Sequence, residues 1–150
     1  DNTEAKQIVL FQNNGSGQFT EHVLKSFEGV WILVTVADLI PDHFPDIVLF
    51  KKVIGELPKM TILKNLGDGT FQEMPSREVP SLYMDASGGN FLIADLNGDG
   101  FQDIFIPGDF FGHLYENDGF GHFTERRLNI NFIWNTSHTH KLVQIADYNH

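Results

Sequence analysis

Apolar residues in this chain come in short runs, and none recurs with the spacing of a helix face. The pattern is clearest around residues 90–128. There "NFLIAD" is apolar and stops at an acidic stretch, "DIFIPGD" follows directly, and "GHLYEND" and "GHFTERRL" alternate apolar with polar positions. Period-two alternation filled with β-branched and aromatic residues predicts strands. Turn residues punctuate every junction, so the stretch predicts a meander of four short antiparallel strands.

The same pattern recurs along the chain. "NNGSGQFTE" from Asn13, "NLGDGTFQE" from Asn65 and "NDGFGHFTE" from Asn117 share N-x-G-x-G-x-F-x-E, and both intervals are 52 residues. A constant interval with agreement at that many positions marks an internal repeat. The Asn-x-Gly-x-Gly element reads as a hairpin turn, with Phe19, Phe71 and Phe123 just beyond it and spaced to pack identically in each unit. A second pattern interleaves: "VADLIPDHFPDIVLF" from Val36, "IADLNGDGFQDIFIP" from Ile93 and "IADYNH" from Ile145. Its leading aspartates, Asp38, Asp95 and Asp147, are 57 and 52 residues apart. The five-residue excess falls in "KKVIGELPK", which reads as a lengthened loop.

Four-stranded units repeating at about fifty residues match the blades of a β-propeller, whereas a β-sandwich does not repeat with this regularity. The expectation is an all-β chain with a partial unit at 1–25, full blades at 30–76 and 90–130, and a partial unit at 138–150. Such a chain does not close a ring alone, since propellers need about four to eight blades. Its expected partners therefore include the remaining blades, from a parent chain or from other subunits. A first residue other than Met suits an excised segment.

Composition narrows the function. With 20 Asp and Glu against 10 Lys and Arg the net charge is −10, which repels nucleic acid and anionic membrane and suits cations. Fourteen Phe supply apolar surface for a core, and the lack of Cys removes disulfides and thiol chemistry. No apolar run is long enough for membrane insertion as a helix.

The acidic stretch "ADLNGDGFQD" is the strongest candidate for chemistry. Positions 1, 3, 5, 7 and 9 of its loop are Asp95, Asn97, Asp99, Phe101 and Asp103. Side-chain oxygens at four of them, with a backbone carbonyl at Phe101, provide hard donors for Ca²⁺, which takes six to eight oxygens and accepts water for the rest. Gly100 permits the sharp turn, and three carboxylates packed so closely repel one another without a cation. An EF-hand would need Glu at position 12, where Ile106 stands, and flanking helices. The earlier copy keeps Asp38, Asp42 and Asp46, with Phe44 at the carbonyl position, but Ile40 and His43 replace Asn and Gly. Asp147 and Asn149 begin a third copy. These two loops are the weaker metal candidates.

"IADLNGDGFQDIFI" and "LYENDGFGHFTE", with the looser "VADLIPDHFPDIVLF" and "ILKNLGDGTFQE", resemble the FG-GAP/VCBS-type repeat of integrin alpha-chain propellers and related secreted lectins and adhesins. The resemblance implies a structural calcium ion in a loop joining the first two strands of a blade, and ligands docking on the opposite face. It also implies secretion or display at the cell surface. In a meander the loops of that opposite face are "KKVIGELPK", "PGDFFG", "YMDASGGN" and "NFIWNTSH". Trp134 and Asn135 there could stack on and hydrogen-bond a sugar, and Tyr83 and Asp85 hold the equivalent place one unit earlier. His138 and His140 share a face but lack an evident third metal ligand, and Asn14 and Asn135 fit glycosylation sequons. No nucleophile elbow, phosphate loop or zinc-protease helix is present. The expected function is therefore non-catalytic recognition or adhesion with a protein or carbohydrate ligand. The alternatives are a propeller part of a secreted polysaccharide- or lipid-degrading enzyme, and a structural surface-assembly protein.

Overall fold

The structure, a computed structural model, describes residues 6–27, 30–53, 55–80, 91–107 and 112–129. These residues form eleven β-strands and no helix. Strands β1 (Lys6–Asn13) and β2 (Phe19–Phe27) make a two-stranded sheet. Strands β3 (Val30–Ala37), β4 (Asp46–Val53), β5 (Lys59–Asn65) and β6 (Phe71–Glu73) follow in order in a second sheet, with β7 (Arg77–Glu78) also on β5. Strands β8 (Leu92–Ala94), β9 (Asp103–Pro107), β10 (Gly112–Asn117) and β11 (Phe123–Leu128) follow in order in a third. Every pairing is antiparallel, and all but β5 with β7 join chain neighbours.

The centre of the middle sheet, β4 and β5, is buried on both faces, and alternation along β4 shows how. Ile47 and Leu49 point one way and join Ile8, Leu63, Leu24, Phe27 and Phe71 against the first sheet. Val48 and Phe50 point the other way and join Met60, Ile62, Ile104, Ile106, Tyr115 and Phe123 against the third. Successive side chains of a strand face opposite ways, so an unbroken apolar run belongs in a strand covered on both sides. The sheets are also tied at their edges: Lys25 of β2 pairs with Glu73 of β6, and Arg77 of β7 donates to the Phe123 carbonyl in β11.

Two expectations are corrected. "KKVIGELPK" is strand at both ends: Lys51 and Lys52 lie within β4, Lys51 pairs with Lys59, and the connection between the strands is five residues long. β4 has eight residues against five in β9, so strand takes up part of the excess. The three turn phenylalanines do not pack identically either. Phe123 is 7% exposed, Phe71 is partly buried and Phe19 is 61% exposed. Burial depends on a sheet earlier in the chain. Phe71 meets the first sheet and Phe123 the second, while no earlier sheet lies over Phe19 among the described residues.

Candidate functional site

Both acidic loops join the first and second strands of their sheets, 38–45 between β3 and β4 and 95–102 between β8 and β9. In the second loop Asp95 accepts the N–H groups of Gly98 (2.7 Å) and Gly100 (2.9 Å), one on each carboxylate oxygen. Asn97 Oδ1 accepts the Asp99 N–H, and Asp99 accepts the Phe101 N–H, both at 2.9 Å. The Asn97 amide reaches the other Asp99 oxygen at 2.8 Å. Side chains capping N–H groups two to five residues ahead wind the chain into a compact loop. Gly98 and Gly100 accept the left-handed backbone this needs, at φ of +82° and +90°.

Asp103 takes a different part. It is fully buried, and its two oxygens accept the Leu96 N–H (3.0 Å) and the Asn117 N–H (2.9 Å). The ninth loop residue thus fastens the acidic loop to the hairpin turn after β10. Asp46 repeats the arrangement: also fully buried, it accepts Leu39 and Ile40 on one oxygen and Asn65 on the other. Burial pushes the Asp46 carboxyl above its ordinary range, against the pull of those three N–H donors.

The turns receiving these carboxylates are built alike. Asn13, Asn65 and Asn117 each accept the N–H two residues on, from Gly15, Gly67 and Gly119. The rings of Phe44 and Phe101, at the seventh position of the two loops, lie over Gly67 and Gly119. A Cβ there would sit 2.5 Å and 2.7 Å from ring carbons. Acidic loop and hairpin turn are therefore one unit, held by a buried carboxylate and an aromatic ring. Asn117 extends it to the neighbouring sheet, donating its amide to the Leu39 carbonyl at 2.7 Å and the Gln102 carbonyl at 3.1 Å. Sequence reasoning missed this fastening function of Asp46, Asp103 and Asn117. Its signal was the pairing of the ninth-position Asp with the turn Asn in both full copies.

The first loop is looser. Pro41 stands where Gly98 does and has no N–H, so Asp38 takes its bonds from Asp42 and His43, at 3.3 Å and 3.2 Å. His43, replacing Gly100, holds φ of +71° despite its side chain. Ile40 packs toward Gly121 of the third sheet.

For metal, the donor chemistry of the second loop fits a hard cation. Asp95, Asn97 and Asp99 project oxygens from one exposed loop, and each hydrogen-bonded oxygen keeps a further lone pair. Asp103 is drawn inward, and among the described residues no three acidic or histidine side chains gather as a cluster that would hold a metal on its own. Asn97 and the Phe101 carbonyl would have to complete the set. Asp147 and Asn149 lie outside the described residues, as do Tyr83, Asp85, Trp134, Asn135, His138 and His140.

No curated protein and no solved structure matches the chain. Residues 53–106, running from the end of β4 through the second acidic loop into β9, match the family model of the FG-GAP-like repeat. By that match, and with an all-β architecture around it, residues 53–106 are similar to the FG-GAP-like repeat.

Proposed function

We propose that the chain is a non-catalytic segment of a β-propeller, its sheets serving as blades, in which calcium fastens the 95–103 loop. Its role is recognition or adhesion outside the cell or at its surface, with a protein or carbohydrate as ligand. The observation carrying the calcium reading is a charge imbalance. Asp95, Asp99 and Asp103 crowd within nine positions, and no Lys, Arg or His among the described residues pairs with any of them. Carboxylates this close favour a shared cation, and an all-oxygen donor set favours calcium over softer metals. Extracellular calcium modules work at about 10⁻⁴–10⁻³ M, a range suited to an exposed, partly hydrated loop. Bound there, calcium would supply positive charge and hold the loop closed. Asp95, Asn97, Asp99 and the Phe101 carbonyl would hold it, and Asp103 would anchor the loop beneath.

The blade reading is supported by the FG-GAP-like match and by sheets that bury one another's faces in chain order. Phe11, Phe19 and Val23 are 59%, 61% and 50% exposed. At the Phe11 and Phe19 positions the next two repeats place Leu63 and Tyr115, and Phe71 and Phe123, which the preceding sheet covers. A further blade is the partner this surface fits. A native mass spectrum in calcium tests the proposal, since it reports bound metal and subunit stoichiometry together. Calcium on the chain, lost on Asp99→Ala, supports it. A metal-free chain in millimolar calcium would refute the calcium reading.

A further inference from the structure

The two acidic loops differ in a residue that belongs to neither. Lys64 in β5 and Glu116 in β10 occupy the same place, one residue before the turn asparagines Asn65 and Asn117, and each faces an equivalent residue of the next strand, Gln72 or Thr124. Both are 26% exposed at the side chain. Their charges are opposite, and so are their partners. Lys64 Nζ lies 3.3 Å from Asp42 Oδ2, at the fifth position of the first loop. Glu116 pairs instead with Arg126 of β11, at 2.9 Å.

The first loop has lost the other features of a metal site. Ile40 offers no oxygen at the third position and is engaged with the neighbouring sheet, its Cδ1 3.4 Å from where a Cβ on Gly121 would sit. Pro41 and His43 replace the two glycines that let the second loop wind tightly. Yet the loop still closes on its own N–H groups: Asp38 accepts those of Asp42 and His43, Asp42 that of Phe44 as Asp99 does that of Phe101, and Asp46 those of Leu39 and Ile40. A loop that retains three carboxylates needs a positive charge from somewhere, and here the chain provides one.

We infer that the Lys64 ammonium takes the place of a divalent cation in the 38–46 loop, so that this loop closes without metal while the 95–103 loop depends on it. A single charge on a tethered side chain suffices because it need only neutralise the fifth-position carboxylate, with Asp46 already satisfied by three N–H groups. The second half of the inference rests on the calcium reading above. The first half does not.

The test separates them. In EDTA, urea unfolding of Lys64→Met, Asp42→Asn and the double variant forms a cycle. Both single changes are expected to lower the midpoint, and the double variant to fall no further than the worse single one. Additive losses would overturn the role of Lys64. Calorimetric titration with calcium reads the other half. Asp42→Asn is expected to bind as many calcium ions as the unaltered chain, and Glu116→Lys to lose the ion that Asp99→Asn loses. Loss of a calcium ion on Asp42→Asn would overturn the inference by making the first loop a metal site. An unaltered chain that binds no calcium would refute the reading of the 95–103 loop alone, and the EDTA cycle would still decide for or against Lys64.

Discussion

Alanine at Gly119 should destabilise the chain far more than alanine at Gly15, although the two occupy the same position of the repeated turn. Both have left-handed backbone, with φ of +80° and +83°, so the conformational cost of a Cβ is shared. That cost is about 1–2 kcal/mol, offset by about 0.4–1 kcal/mol because alanine restricts the unfolded chain. Gly15→Ala should therefore lose about 1 kcal/mol. At Gly15 nothing lies within 4 Å of the added carbon, whereas at Gly119 it would sit 2.7 Å from Phe101 Cε1. The ring rests between loop and turn and must shift, and overpacking of this kind costs about 1–3 kcal/mol more. Gly119→Ala should thus lose about 2–4 kcal/mol, seen in urea unfolding as a lower midpoint at unchanged slope. Combining Gly119→Ala with Phe101→Ala removes the clash, so the pair should be less destabilising than the sum by about 1–3 kcal/mol. Equal losses at Gly15 and Gly119, or additivity with Phe101→Ala, would refute the idea that the ring locks the turn to the acidic loop.

Asp103→Ala should cost about 2–6 kcal/mol, because the part-buried N–H of Leu96 and the buried N–H of Asn117 lose their acceptor at about 1–3 kcal/mol each. A loss in urea unfolding no larger than for an ordinary surface change would contradict the fastening role. Asp68 and Asp118 should titrate below the ordinary 3.8 in carboxyl NMR, the first held down by Thr70 and the second foremost by the Phe120 N–H. Since their folded values are depressed, their stabilisation is full above 3.8 and fades as pH falls through the folded values. Stability should drop in that acid window, less steeply in Asp68→Asn and Asp118→Asn, and titration of either at or above 3.8 would contradict the turn geometry.

Much of the architecture was legible because the turns are spelled out. Three Asn-x-Gly-x-Gly elements at equal intervals place hairpins β1–β2, β5–β6 and β10–β11, and apolar runs flank them. The acidic loops were legible from oxygen-bearing residues at alternate positions. What the pattern concealed was long-range. The pattern marks Asp103 as a ligand at the ninth position, but not that its carboxylate accepts an N–H fourteen residues away, nor that the Asn117 amide serves a carbonyl in the other acidic loop, 78 residues back. It marks Phe101 by its backbone carbonyl and is silent on the side chain, which covers the glycine of a turn. Lys51 and Lys52 read as loop because of the extra five residues. Strand pairing reaches through them because long lysine stems tolerate partly buried positions. Phe19 and Phe123 have the same local sequence and opposite exposure, since burial depends on which sheet precedes them.

Thermal unfolding in 10 mM calcium and in EDTA, for the unaltered chain and Asp99→Ala, tests the central claim most directly. With a dissociation constant of about 10⁻⁴–10⁻³ M, calcium at that concentration adds about 1.4–2.7 kcal/mol. That corresponds to a rise in Tm of about 3–10 °C for a chain of this size. The account predicts this rise in the unaltered chain and its loss in Asp99→Ala. A Tm indifferent to calcium, or a rise that survives Asp99→Ala, would contradict it.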